Sequence, residues 1–283
     1  MQRLILHLIL IVVLPLSLEA KEWDPRLEQA LSLSYGAQIP QALVVIISYR
    51  KDQPEDPNGL FVMAMVLEWQ AGLGEENHQE VYKKLIQTYK EANKLALAHW
   101  KNEPQNPDTL ADYGNSFFLL ARMYGKSGSK MRAALTGRKS QKYLKKALSL
   151  EPDRLDILLP LGAFHYFAGK APLIWRSFMS ALGIKGDRER GLRELKQSAG
   201  GKHPYVWNAR YALVEFNQKL EKNWDEALRW LQFFEKDFPK NPMVKMKRAQ
   251  IYSSKDPISG INNFFELIEA CQTGRFQCPK KII

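Results

Sequence analysis

Along the chain one spacing recurs: a small residue, usually a larger one four positions later, another residue three beyond that, and a proline five further on. It runs through Ala42, Ile46, Tyr49 and Pro54, then Ala92, Ala96, His99 and Pro104, then Ser140, Leu144, Ala147 and Pro152, and again Ala227, Leu231, Phe234 and Pro239. The second copy is imperfect, because Ala96 is small where the others are large; weaker copies start at Gly191 and Gly260. Residues four and seven apart stack on one helix face, so the small residue admits a neighbouring helix while the larger ones fill the space beside it. Proline cannot continue the helix and sets the turn to the next one. After two of the copies a second apolar helix begins, at Leu110-Ala111-Asp112-Tyr113-Gly114 and at Leu158-Leu159-Pro160-Leu161-Gly162. The unit is helix, turn, helix, proline. A chain of such units buries its core by stacking neighbours instead of gathering around one centre.

These residues resemble the tetratricopeptide repeat. Tyr143-Leu144-Lys145-Lys146-Ala147-Leu148-Ser149-Leu150-Glu151-Pro152-Asp153 is the most recognisable copy, and Trp224-Asp225-Glu226-Ala227-Leu228 with Phe238-Pro239-Lys240-Asn241-Pro242 follows it closely. Several units exceed the usual repeat of about 34 residues; the extra residues sit near 72–80, 125–130 and 171–185. The run from Gly162 to Gly169, followed by Leu182 to Leu192, is similar to a group of exported bacterial tetratricopeptide proteins of unassigned role. More distantly it resembles the tetratricopeptide-39 and inclusion-body-clearance proteins, and faintly the T-component of tripartite solute transporters. The resemblance implies an all-α fold, a right-handed superhelical stack of antiparallel helix pairs, and brings no reaction with it.

The first twenty residues differ from the rest. Met1-Gln2-Arg3 is basic, Leu4 to Leu18 is almost uninterruptedly apolar, and Ala20 precedes the polar Lys21-Glu22-Trp23-Asp24. That order reads as a secretory signal peptide over residues 1–20. The alternative, an uncleaved anchor, calls for roughly 20 apolar residues, more than this run supplies. The expected product is a soluble periplasmic or secreted protein: a repeat domain over 21–270 with an insertion near 171–186, then a tail over 271–283. The formal net charge of +11 favours anionic surfaces or acidic proteins. Export makes nucleic acid the least expected partner. Cys271 and Cys278 are the only cysteines, and in an exported chain their proximity favours a disulfide.

Catalytic signatures are missing from the linear sequence. Gly125-Lys126-Ser127 lacks the earlier glycine and preceding strand of a P-loop, and the histidines never form a helical ligand pair. His165, between Phe164 and Tyr166, reads as a packed core histidine. From Ala121 to Leu150 there are nine Lys or Arg and no acid. Lys142, Lys145 and Lys146 lie there on a polar helix face opposite an apolar one, which suits anionic membrane headgroups, an acidic partner, or plain solvent. The segment Pro172-Leu173-Ile174-Trp175-Arg176-Ser177-Phe178-Met179 interrupts the period with a short apolar helix, followed by Gly186-Asp187-Arg188. Asp187 suits an N-cap and Glu189 the positive end of the helix dipole, whereas Arg188 and Arg190 have no such local reason.

The expectation is a non-enzymatic exported scaffold without cofactor or metal, binding a protein segment or a small apolar ligand in its concave groove. Tyr166, Trp175, Arg176, Asp187 and Arg188 are the candidate binding residues. The alternatives are a hydrolase-type enzyme whose scattered residues meet only in the fold, and a peripheral binder of anionic membrane.

Overall fold

The structure is a computed structural model that describes residues 23–72, 78–181, 183–276 and 278, without the side chains of His78, Gln79, Trp175 and Phe178. The expected signal peptide, its cleavage junction, most of the first insertion and the last part of the tail lie outside the described residues.

Among the described residues the secondary structure is helical throughout. Six pairs follow one another: α1 (Pro25–Tyr35) with α2 (Ile39–Asp52), α3 (Pro57–Gly72) with α4 (His78–Asn102), α5 (Pro107–Lys126) with α6 (Lys130–Leu150), α7 (Leu155–Lys170) with α9 (Arg188–Gly200), α10 (Val206–Glu215) with α11 (Trp224–Asp237), and α12 (Pro242–Lys255) with α13 (Pro257–Gln272). The short α8 (Leu173–Ala181) interrupts the fourth pair, as the broken period predicts. None of these helices is long and apolar enough to cross a membrane.

The repeat residues form these contacts for the reason their spacing implies. Ala42, Ile46 and Tyr49, Ser140, Leu144 and Ala147, and Ala227, Leu231 and Phe234 are all buried. Pro54, Pro104, Pro152 and Pro239 all stand in the turns that follow. Helix starts are capped locally: Asp24, Asn106, Asn241 and Asp256 each accept from the backbone of the new helix, with a proline in its first turn. Such a cap satisfies a donor that has no partner within the helix, and proline lacks the N–H that would be orphaned there.

The chain also closes on itself. Trp23 meets Tyr205 edge to face at 5.1 Å, and Trp69 lies 5.2 Å from Tyr211. Tyr35 packs on Trp207, Phe234 and Phe238 while its hydroxyl donates to Asn208 at 2.7 Å. Asn241 Nδ2 donates to the Tyr35 carbonyl at 2.6 Å. The first helices of the first two pairs are therefore covered by α10, α11 and the turn into α12. This explains α3, which is apolar around its circumference and buries eleven of its sixteen residues: a helix apolar all round needs neighbours all round. The ends of α1 and α3 are thus occupied by the chain itself.

Candidate functional site

The predicted site residues fall where α7 ends and α9 begins. Helices α7 and α9 approach closely because glycines face each other. A Cβ on Gly191 would stand 2.4 Å from the Tyr166 nitrogen and 2.6 Å from the Gly162 carbonyl, and one on Gly186 would run into the backbone of Ala168 and Gly169. This approach delivers Arg188 to the end of α7. From the other side comes a π-helical turn, Phe216–Glu221, that extends α10 and ends on Lys222 in a left-handed conformation.

Glu221, on that turn, gathers the cluster. Its carboxylate accepts from the Tyr166 hydroxyl, from Lys170 Nζ at 3.1 Å and from Arg188 Nε at 3.1 Å, with a second Arg188 nitrogen on its other oxygen. Lys170 also donates to the Leu220 carbonyl, which ties the turn to α7. The Arg188 hydrogen bond, with help from Tyr166 and Lys170 and against burial, holds the Glu221 pKa down from 4.5 to about 2. Burial, reinforced by Glu221, drives the Tyr166 hydroxyl far above its ordinary range. A carboxylate this acidic and a phenol this weakly acidic are unsuited to proton transfer near neutrality. The cluster fastens the π-helical turn to the α7–α9 junction.

The five candidates are thus only partly brought together. Tyr166 is buried with its ring on Phe216 at 4.6 Å, a core position and not an open surface. Arg188 joins it through Glu221. Asp187 caps α9, accepting from the Arg190 backbone at 2.9 Å, while its own N–H donates to the His165 carbonyl at 3.0 Å. Arg176 is exposed on α8, and no described hydrogen bond or ion pair joins it to the others. The side chain of Trp175 is outside the description. Lys170 and Glu221 were missed in the sequence. Lys170 sits one turn after Tyr166, which is a usable signal, whereas Glu221 is 33 residues from Arg188 and only the fold unites them.

Two further polar clusters have structural explanations. His165 is buried, with Nδ1 2.5 Å from Glu194 and Nε2 3.0 Å from the Gln141 amide, and Arg190 closes the chain on Glu194 at 2.8 Å. Burial works to raise the Glu194 pKa, but the His165 and Arg190 hydrogen bonds outweigh it and hold it low. Both ring nitrogens are engaged, so neither is offered to a nucleophile or a metal. Arg190, without a local reason in the sequence, finds its reason here. On the other side of the stack, Glu68 receives Arg122, Lys126 at 3.4 Å and the Tyr89 hydroxyl at 2.7 Å. That leaves the seven cations of α6, which are exposed and, among the described residues, form no salt bridge, although Lys145 lies within electrostatic reach of Arg190 and Glu194. Lys142, Lys145 and Lys146 are among them.

At the far end, Cys271 and Cys278 are joined by a disulfide with a Cα–Cα distance of 5.5 Å. Two surface depressions, about 280 Å³ between α11 and α12 and about 600 Å³ between the start of α7 and the end of α9, lie apart from the Glu221 cluster.

The fold is a tetratricopeptide-like helical solenoid. No family model matches the chain, and no curated protein matches it in sequence. Among solved structures it is similar to a tetratricopeptide protein of Thermus thermophilus, with 19% identity, a TM-score of 0.46 and coverage of 80% of this chain and 97% of that one. A tetratricopeptide protein of Parabacteroides merdae is 12% identical, with a TM-score of 0.34, over 87% of this chain and 80% of the other. The human IFIT1 dimer with m7Gppp-AAAA is 15% identical, with a TM-score of 0.42, over 88% of this chain and 62% of the IFIT1 chain. These tetratricopeptide-like likenesses concern architecture only.

Proposed function

We propose that the protein is a non-enzymatic, exported scaffold that docks a partner protein on the exposed apolar row of helix α13. One observation carries this reading. Ile258, Ile261 and Phe265 of α13 are 72%, 53% and 64% exposed. Their spacing of three and four places them in one row along the helix. A row of large exposed apolar residues along one helix suits a partner helix that lays its own apolar face there.

This reading places the docking on α13 instead of the expected concave groove, because Tyr35 and Trp69, near the ends of α1 and α3, are covered by the chain. Export rests on the basic start and apolar run before Lys21, and a role in an envelope or transport complex on the resemblance of the run from Gly162 to Leu192. The test is Ile258→Asp with Phe265→Asp. Both side chains are exposed, so melting temperature should change little, by the equivalent of about 0.5 kcal/mol or less. The double variant should lose the partners that cross-link to the parent in its native compartment. Partners retained at parental yield defeat the reading. A parent whose mass by light scattering doubles with concentration, while the variant stays monomeric, assigns the face to a second copy of the chain.

A further inference from the structure

Helix α6 carries Lys130, Arg132, Arg138, Lys139, Lys142, Lys145 and Lys146, all exposed, and contains no Asp or Glu. Within it Met131, Leu135, Arg138 and Lys142 follow spacings of four, three and four, so they share one solvent-facing stripe. Its N-terminal end is apolar and its continuation basic. Met131 is 40% and Leu135 42% exposed.

The tertiary structure brings α8 beside this stripe. Helix α6 runs antiparallel to α7: Ala147 clusters with Ile157 near one end, and Gly137 faces Phe164 near the other. The first third of α6 therefore lies beside the end of α7, from which α8 departs. The turn after α8 comes within reach of the Arg138 side chain of α6: a Cβ added at Gly183 would lie 3.6 Å from Arg138 Nη2. Leu173 and Ile174, in the first turn of α8, are 72% and 79% exposed. The segment 170–186 has no acid either, and it adds the exposed Arg176 and Lys185. One end of the molecule thus presents Met131, Leu135, Leu173 and Ile174 among cations from two helices, with no acid on either.

We propose that this α6–α8 surface docks on an anionic lipid bilayer, its lysines and arginines against the headgroups and Leu173 and Ile174 entering the interface. The charge selects an anionic counterpart, and the shape selects a fluid one. Leu173 and Ile174 are exposed on a short helix and line neither of the two depressions described above, so a folded partner would need a pocket to receive them, whereas the acyl–headgroup boundary accepts such side chains without one. Basic side chains gather at an anionic leaflet and act within about 10 Å of it at ordinary ionic strength. The surface is separate from α13, so this inference stands independently of the scaffold reading.

The test is co-sedimentation of the full chain with vesicles of phosphatidylcholine alone, and with about 30% phosphatidylglycerol added as the anionic lipid. The anionic vesicles should bind at least about tenfold more tightly, and the difference should shrink as salt rises to about 0.5 M. Arg138→Glu with Lys142→Glu should remove at least about tenfold of that binding while circular dichroism and melting temperature stay parental. Leu173→Ser with Ile174→Ser should keep the salt-sensitive part and lose the part that survives high salt. Ile258→Asp with Phe265→Asp should leave vesicle binding unchanged, which separates this surface from the α13 face. Equal sedimentation on both vesicle types, or charge reversal without effect, overturns the proposal. So does a chain that ignores anionic vesicles yet binds polyglutamate through Arg138 and Lys142, which assigns the surface to an acidic protein.

Discussion

Glu221 shows how one side chain can hold three elements in register. It collects Tyr166 and Lys170 from α7 and Arg188 from α9, and it stands at the end of the π-helical turn. Its pKa is about 2 in the fold against about 4.5 in the unfolded chain. A depressed carboxylate pKa contributes stability that is fully present above the unfolded value and is lost as pH falls through the folded one. The full shift would correspond to about 3 kcal/mol, but Arg188 and Lys170 are partly solvated, and screening reduces the contribution to about 1–2 kcal/mol. Glu221→Gln should therefore lower stability by about that amount at neutral pH. The gap between parent and variant should close between about pH 4.5 and 2 in urea melts. A gap that persists at pH 2 rules out the carboxylate as its source. The same variant leaves Arg188 without its counter-ion, so Arg188 is a poor single probe of binding in this protein.

At the scale of elements, the α7–α9 pair stands apart from the other five. Most pairs are joined by a turn of a few residues. Here seventeen residues intervene, yet the helices still pack, because Gly162 and Gly169 on α7 meet Gly191 and Gly186 at the start of α9. The atoms a new methyl group would meet are backbone atoms, which cannot rotate away. Gly191→Ala should accordingly cost about 1–3 kcal/mol by overpacking, measured by thermal or chemical denaturation. A neutral outcome would mean that α9 slides along α7 without penalty, and that the Arg188–Glu221 pair does not depend on this approach. Met131 and Leu135 lie in the first two turns of α6, ahead of the stretch in which its inner face buries Gly137, Ser140, Gln141, Leu144 and Ala147.

At the scale of the whole molecule, closure separates this chain from an open array. In an open solenoid each repeat touches only its neighbours, and damage at one end stays there. Here Tyr35 contacts residues more than 170 positions away. Tyr35→Ala should cost about 3–5 kcal/mol, as truncation of a fully buried aromatic does. It should also lower amide hydrogen-exchange protection in α10 and α11 together with α1. Loss of protection confined to α1–α3 would show that the two ends are energetically independent.

The helices, their pairing and the inward side of each repeat were legible in the sequence, because they follow from local rules: the spacing of Ala227, Leu231 and Phe234, the prolines in the turns, and the Asn and Asp caps. The interruption at α8 and the capping role of Asp187 were legible for the same reason. The site was legible only in pieces. Arg188 stood out as unexplained, but its explanation, Glu221, lies in another repeat on a π-helical turn that no local pattern announces. The covering of α1 and α3 by α10 and α11 was equally beyond the sequence, which shows that α3 is apolar all round without showing what covers it. Local propensity acts over a few residues and writes itself into the spacing. Closure depends on the accumulated rotation of several helix pairs, and the Glu221 cluster and the approach of the turn after α8 to Arg138 on how neighbouring pairs meet; only the tertiary structure decides both.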